Sequence, residues 1–477
     1  MTSTIIIGGV AGGASCATRL RRNDETTDII LLERGPHVSF ANCGLPYFIG
    51  GIIPRKEDLL LASPEFLRRR FNIDVRTGAD AISIDRERQL VNVISIEDGA
   101  EYSLHYDNLV LAPGATPVWP ALPGIDTPGI FSLRSVPDSV AIKFWTESRH
   151  VRHATVIGAG FIGIEVTECL HHLGINVTLV DRLNQVMPIL DSEMANLLEA
   201  HLRSQEIDLR LGAEVTGFEL STAKGALTVS FVDRSVLNTD MVILAIGVVP
   251  ESNLAKDCGL RTGLRGHVIV DTDMRTSDKH IFAVGDVAEV RCVVSGKRTA
   301  APLAGPANRQ GRIAADAIAG RPREFRGVQA TAVCGAFGLT IATTGLTARN
   351  LKAQGILHET VYAHPLHHVA YYPDAKPIHL KLLYERSTGR LLGAQAIGQH
   401  GVERRIDVIS MAIQMGATVF DLEEAELCYA PQYGAAKDAV NMLGMIASNA
   451  MRGDIVISSW EDFSADDCVV LDVRTHR

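Results

Sequence analysis

One cysteine in this chain stands where it could do chemistry. Cys43 lies in the stretch Ser39-Phe40-Ala41-Asn42-Cys43-Gly44-Leu45-Pro46-Tyr47, between an Asn and a Gly, with Pro46 suited to the first turn of a helix. A thiol at a helix N-terminus meets backbone N–H groups and the positive end of the helix dipole, and both favour thiolate over thiol. Taken locally, two roles are open: a redox thiolate beside a cofactor, or a buried structural cysteine, a common fate for this residue type. The neighbourhood favours the first, because the stretch follows shortly after a dinucleotide-binding pattern that ends on Glu33.

That pattern occupies residues 4–34. The strand Ile5-Ile6-Ile7 runs into Gly8-Gly9-Val10-Ala11-Gly12-Gly13, then a helix through Arg22, then the strand Ile29-Ile30-Leu31-Leu32 and Glu33. Glycines let the backbone approach a pyrophosphate at a helix N-terminus, and the acid accepts from a ribose hydroxyl. Val10 replaces the middle glycine, so the strand–turn–helix–strand context carries the reading. A second unit opens at Thr155-Val156-Ile157, with Gly158-Ala159-Gly160-Phe161-Ile162-Gly163, a helix to His172 and the strand Val177–Val180 ending at Asp181. Two such units imply two dinucleotides. Asp181 would accept from a 2′-hydroxyl and repel a 2′-phosphate, which favours NADH over NADPH, although Arg182 beside it softens that preference.

The elements that hold these motifs follow from the rest of the pattern. Leu109-Val110-Leu111-Ala112-Pro113-Gly114-Ala115-Thr116-Pro117 reads as a strand running into a crossing between domains, and Met241–Gly247 closes the second unit in a similar way. Ile281-Phe282-Ala283-Val284-Gly285-Asp286 sets an acid after a buried strand, where it either bonds a sugar-like chain or caps a helix. From about residue 326 the texture changes. Strands at Thr340–Thr344 and Ile378–Tyr384, with helices near Arg404–Met415 and Ala435–Asn449, predict a mixed antiparallel sheet with helices on one side. His364, His367 and His368 cluster there without partnered Cys or carboxylates, so they read as a polar loop and the expected metal content is none.

Composition sets the outer limits. A chain of 477 residues with 46% hydrophobic residues has length for several domains, and a net charge of −9 argues against a general nucleic-acid binder. No apolar run reaches the roughly 18 residues a membrane helix needs, and Met1-Thr2-Ser3-Thr4 leads directly into a strand without a signal-peptide pattern. The cysteines at 16, 43, 169, 258, 292, 334, 428 and 468 form no CxxC pair, which fits a reducing, cytoplasmic setting.

Taken together, the glycine loops, the Cys43 stretch, Pro302-Leu303-Ala304-Gly305-Pro306-Ala307-Asn308-Arg309-Gln310-Gly311 and Tyr429-Ala430-Pro431-Gln432-Tyr433-Gly434 resemble the pyridine nucleotide-disulfide oxidoreductase family. The resemblance is narrower still to its single-cysteine branch of coenzyme A-disulfide and NADH-dependent persulfide reductases, and it covers residues 3 to about 452. It implies an α/β fold of two Rossmann-like dinucleotide-binding domains, for FAD and NAD(P)H, plus a C-terminal α+β dimerisation domain. The boundaries read as 1–112 and 246–325 for FAD, 113–245 for NAD(P)H, 326–453 for dimerisation and 454–477 as a rhodanese-like remnant or tail.

The resemblance also assigns roles. FAD would rest on Gly8, Gly12, Gly13, Glu33 and Asp286, and the nicotinamide cofactor on Gly158, Gly160, Gly163 and Asp181, with Phe161 as an aromatic gate. Cys43 would cycle between thiolate and mixed disulfide or persulfide. Ser39 and Asn42 would line the thiol end of the substrate pocket, and Arg19 and Arg22 would face coenzyme A phosphates. Tyr429 would arrive from a partner subunit as an acid, helped by Tyr371 or Tyr372, which implies a homodimer. Oxygen-reducing members of the branch carry a histidine where this chain has Ala11, so disulfide, persulfide or polysulfide reduction is preferred to an NADH oxidase; a flavin-containing redox sensor or electron-transfer protein is the alternative from another class. Ser459 to Arg474 resembles the opening of a rhodanese-like domain, without that domain's cysteine loop.

Overall fold

A computed structural model describes residues 2–221, 227–263, 265–321 and 323–458, together with Val469 and Leu471. The rhodanese-like stretch 459–474 lies outside the described residues except at those last two positions. The chain divides into two compact units, Met1–Thr343 and Thr344–Arg477.

The first unit contains two five-stranded parallel sheets built to one plan. In the first, the strand Ser3–Ile7 pairs with Asp28–Glu33 on one side and Asn108–Leu111 on the other, flanked by Asp74–Thr77 and Ile281–Ala283. In the second, His153–Ile157 takes the central place between Asn176–Asp181 and Met241–Leu244, flanked by Asp208–Leu211 and Ile130–Ser132. The registers match: Ile7 lies opposite Leu32 and Ile157 opposite Val180, so each strand pair delivers its glycine turn and its acid to the same edge. Central strands covered on both faces read as continuous apolar runs, and Ile5, Ile6, Val156, Leu31 and Leu179 are indeed fully buried.

Each central strand feeds a helix, Ala11–Asn23 in the first fold and Phe161–His172 in the second. The first of these lies against the helix Ala304–Ile318 at very short range. A Cβ on Gly311 would stand 2.2 Å from the Gly12 carbonyl oxygen, so only glycine permits that crossing. Ala115–Pro117, at the end of the stretch expected to cross between domains, pairs antiparallel with Val248–Pro250, just past Met241–Gly247.

The second unit carries an antiparallel sheet of His358–Ala363, Ile378–Glu385 and Leu391–Gly398 in that order. Helices Val402–Gln414 and Ala439–Arg452 pack on it. The predicted helix start at Ala435 moves to Ala439, because Asp438 caps the helix by accepting from the Val440 N–H at 3.1 Å and forms a capping box with Asn441. The strand expected at Thr340–Thr344 spans Leu339–Gly345 and straddles the division between the units.

Candidate active site

Both glycine turns hold their acids in the same grip. Glu33 accepts from the Gly9 N–H through Oε2 and from the Gly35 N–H through Oε1, each at 2.8 Å. Asp181 accepts from Ala159 at 2.7 Å and from Leu183 at 2.8 Å, again one oxygen apiece. Each carboxylate is therefore fixed beside its turn while its oxygens keep further lone pairs for a ribose hydroxyl. The helices Ala11–Asn23 and Phe161–His172 begin at Val10 and Gly160 without a side-chain cap, so their first N–H groups are directed at the turn. Gly8 and Gly158 sit at φ +98° and +107°, and a Cβ on Gly13 or Gly163 would stand 1.8 Å from the carbonyl oxygen of Gly8 or Gly158. Small residues are obligatory at both turns.

The first turn opens into a groove of about 440 Å³ whose lining brings together Gly8, Gly12, Glu33, Asn42, Cys43 and Asp286. A ribose acceptor at one place, a glycine turn at a bare helix end and a redox-capable thiol along one groove fit an FAD. Gly12 is needed here as well, since a Cβ on it would meet Val284 at 2.9 Å. Gly13 lies behind the turn. The groove is not lined by Phe161, which is partly buried as the first residue of the second helix, with Asp181 and Gly160 at the other turn.

Cys43 lies in a short 3-10 turn, Asn42–Gly44, that runs into the helix Leu45–Ile49. Its side chain is open to the groove, yet the dense protein around it still costs the charged form. Burial pushes the thiol up, the carboxylates of Glu165 and Asp286 push the same way, and its own backbone N–H opposes them in part. The thiolate-favouring field expected from the local sequence is thus outweighed. A five-residue helix has little dipole, and neither carboxylate is near Cys43 in the chain.

The other site residues fall into distinct settings. Ser39 adopts φ +46°, with its N–H donating to the Gly9 carbonyl at 2.8 Å, so the segment that carries Cys43 is tied to the first turn. The Asn42 amide spans Arg134, donating to its carbonyl at 3.2 Å and accepting from its guanidinium at 3.0 Å. Asp286 sits in the turn Gly285–Val287 rather than capping a helix; burial raises its carboxyl and Arg134 counters that. Arg19 places Nε 2.6 Å from Asp316, and the Arg22 guanidinium stacks 5.1 Å from the Phe71 ring centre. In the second unit, Tyr371 and Tyr429 share a hydroxyl–hydroxyl hydrogen bond, whereas Tyr372 lies edge-on to His368. Among the described residues there is no cluster of three or more His, Cys, Asp or Glu that could hold a metal.

Sequence reasoning missed Arg134, Tyr47 and Glu165. Arg134 lines the groove and braces Asn42, but nothing in its spacing marks it, since its partners lie far away in the chain. Glu165 did carry a signal: it stands four positions beyond Phe161, one helical turn into the second glycine-loop helix.

Two dinucleotide folds, each with a glycine turn and a gripped acid, and an accessible cysteine in the groove of the first define a flavin- and pyridine-nucleotide-dependent oxidoreductase. The chain belongs to the pyridine nucleotide-disulphide oxidoreductase family, whose model matches residues 2–311, and residues 331–440 match that family's dimerisation domain. Its enzymes use FAD and NAD(P)H. A coenzyme A disulfide reductase of Staphylococcus aureus is 33% identical over 445 residues, covering 93% of this chain and 99% of that one. Reduced Bacillus anthracis CoADR-RHD superposes with a TM-score of 0.94 at 44% identity, covering 96% of this chain and 82% of that chain. A NAD-dependent persulfide reductase from A. fulgidus gives 0.94 at 36% identity, covering 100% and 88%. Among the described residues no helix is long and apolar enough to cross a membrane.

Proposed function

We propose that this enzyme uses NADH to reduce a sulfur–sulfur bond of coenzyme A disulfide, coenzyme A persulfide or polysulfide, with Cys43 as its single redox-active cysteine. The observation that carries the reading is the placement of the Cys43 side chain on the groove lined by Gly8, Gly12, Glu33 and Asp286. The activities named for the S. aureus and A. fulgidus relatives agree with it. FAD, when bound, supplies the two-electron relay between a hydride donor and sulfur. Residues 1–112 and 246–325 hold it in this reading, 113–245 hold the nicotinamide nucleotide, and 326–453 form a homodimer.

The chain's own groups divide the remaining work. The Cys43 thiolate attacks the substrate S–S bond; a bond forms from Cys43 to one sulfur and the second leaves as a thiolate. Asn42, braced by Arg134, borders the thiol end of the pocket, and Ser39 ties that segment to the first glycine turn. Arg22 and the terminal nitrogens of Arg19 meet phosphate, with the Nε of Arg19 bonded to Asp316. Tyr429 of a second copy, hydrogen-bonded to its own Tyr371, delivers a proton to the departing thiolate.

The test is anaerobic NADH consumption with coenzyme A disulfide, coenzyme A persulfide, polysulfide and glutathione disulfide, repeated with oxygen alone. Turnover with a coenzyme A or polysulfide substrate that exceeds the oxygen rate at least tenfold is expected. Turnover that requires oxygen would replace this reading with an oxidase.

A further inference from the structure

The helices Ala11–Asn23 and Ala304–Ile318 are joined by a row of polar side chains. Ser15 donates to the Asn308 side-chain oxygen, and Asn308 donates in turn to the Ala304 carbonyl at 2.8 Å. One turn further along the first helix, Arg19 donates from Nε to Oδ1 of Asp316 at 2.6 Å. Asn23, another turn on, donates to the same oxygen at 2.8 Å. The close crossing at Gly12 and Gly311 fixes how the two helices lie, and with it the reach from Arg19 to Asp316.

That ion pair is sunk between the helices: the Asp316 side chain is 1% exposed and that of Arg19 19%. It uses Nε alone. Among the described residues neither terminal nitrogen of Arg19 makes a hydrogen bond, and Oδ2 of Asp316 has no hydrogen-bond partner. A guanidinium holds its five donors in one rigid plane, so pinning Nε restricts where the other four point. Ala11 and Ala304 line the groove that also holds Cys43. Arg19 stands eight residues beyond Ala11, about 12 Å along the helix axis. A substrate that spans from the groove to Arg19 is therefore long and anionic at its far end. Coenzyme A disulfide has that form, and polysulfide is too short.

We propose that Asp316 is a positioning residue for substrate choice: it holds Arg19 by Nε so that the terminal nitrogens meet a phosphate of coenzyme A, and the enzyme thereby prefers a disulfide that carries phosphate to one that does not. This rests on the reading that Arg19 meets phosphate. A long side chain gives up rotamer freedom when it binds, and the bond to Asp316 fixes Arg19 before the substrate arrives. Asp316 touches no substrate atom. Its charge alone disfavours a phosphate nearby, so the gain comes from orientation.

The experiment compares kcat/KM for coenzyme A disulfide with that for pantethine, the disulfide of the same thiol arm without the phosphates, on FAD-loaded enzyme. Asp316→Asn and Asp316→Ala remove the same charge, but asparagine keeps an oxygen for the Arg19 Nε and alanine does not. The ratio of the two kcat/KM values should fall about tenfold in Asp316→Ala, with the loss in KM for coenzyme A disulfide, and stay within about twofold of the parent in Asp316→Asn. A merely structural lesion lowers both substrates together and leaves the ratio in place. A ratio unmoved in Asp316→Ala, or lowered equally in both variants, overturns the proposal. If Asp316→Ala does not bind FAD, Arg19→Lys decides: an ammonium paired with Asp316 has no second edge to offer, so the ratio should fall by a similar factor, and a ratio within about twofold of the parent overturns the proposal. Arg19→Gln tests the underlying reading separately. A ratio that survives it shows that Arg19 meets no phosphate; a ratio that falls in Arg19→Gln alone shows that Arg19 binds phosphate without Asp316.

Discussion

The hydroxyls of Tyr371 and Tyr429 lie 2.8 Å apart, although 58 residues separate them in the chain. Val369 donates to the Gly434 carbonyl at 3.0 Å, and Arg405, 2% exposed, binds both the His367 carbonyl and Asp438. Both tyrosine-bearing segments thus hang on one anchored frame. Sharing a proton with Tyr371 raises the Tyr429 phenol, so Tyr429 stays protonated past its usual range.

Tyr371→Phe should therefore bring the Tyr429 phenol back toward its ordinary value and move the alkaline limb of kcat to lower pH. Tyr429→Phe should remove that limb and lower kcat by roughly 10- to 100-fold, the scale of a lost general acid. The check is a kcat–pH profile of both variants with coenzyme A disulfide. A limb unmoved in Tyr371→Phe would show that the pair does not titrate during turnover.

Cys43→Ser should keep FAD, because the glycine turn, Glu33 and Asp286 are untouched. It should lose at least about a hundredfold in disulfide reduction, since a serine hydroxyl is a poor nucleophile at neutral pH and forms no mixed disulfide. Flavin absorbance and NADH consumption measure the two effects. Turnover within a few-fold of the parent would end the single-cysteine mechanism.

The matched turns predict matched lesions. Gly13→Ala forces a Cβ onto the Gly8 carbonyl and should empty the FAD site; Gly163→Ala does the same at Gly158 and should spare FAD while weakening NADH. Overpacking of this kind costs about 1–3 kcal/mol, or roughly 10- to 100-fold in affinity. Flavin content and the KM for NADH distinguish the two variants. Loss of FAD in both would mean that the two sites fold as one.

Asp181 should give at least about a tenfold kcat/KM preference for NADH over NADPH, the scale of one lost hydrogen bond plus repulsion of a 2′-phosphate. Asp181→Ser should shrink that ratio. Arg182 is exposed beside it, and equal efficiency with both nucleotides would assign the choice to that residue instead.

Asp316, 1% exposed, pairs with Arg19 and accepts from Asn23 at 2.8 Å; burial pushes its carboxyl up, but these partners together with Arg312 outweigh that and hold it below the usual range. A depressed carboxyl contributes stability above the unfolded-state value near pH 4, and that contribution fades as pH falls through the lower folded value. Asp316→Asn should cost about 3 kcal/mol at neutral pH, and the difference from the parent should narrow in acid. Urea unfolding at pH 7 and pH 3 provides the measurement; an equal difference at both would exclude ionisation as its source.

The amino-acid sequence by itself determined the parts that are local. A glycine turn between a strand and a helix, an acid at the end of the next strand and a cysteine just before a proline are contiguous patterns, and short-range backbone geometry forces their meaning. The strand–turn–helix–strand course of both units, the placing of Glu33 and Asp181 beside their turns and that of Cys43 ahead of a helix were legible for that reason. What only the tertiary structure decided is how distant segments meet. Arg134 against Asn42, Glu165 against Tyr47, and Tyr371 rather than Tyr372 against Tyr429 depend on packing between elements far apart in the chain. The ionisation of Cys43 belongs with them: the local helix end favours thiolate, but burial and two carboxylates brought in by the fold act the other way. Charges interact through space and not along the sequence, so their balance appears only once the chain is folded.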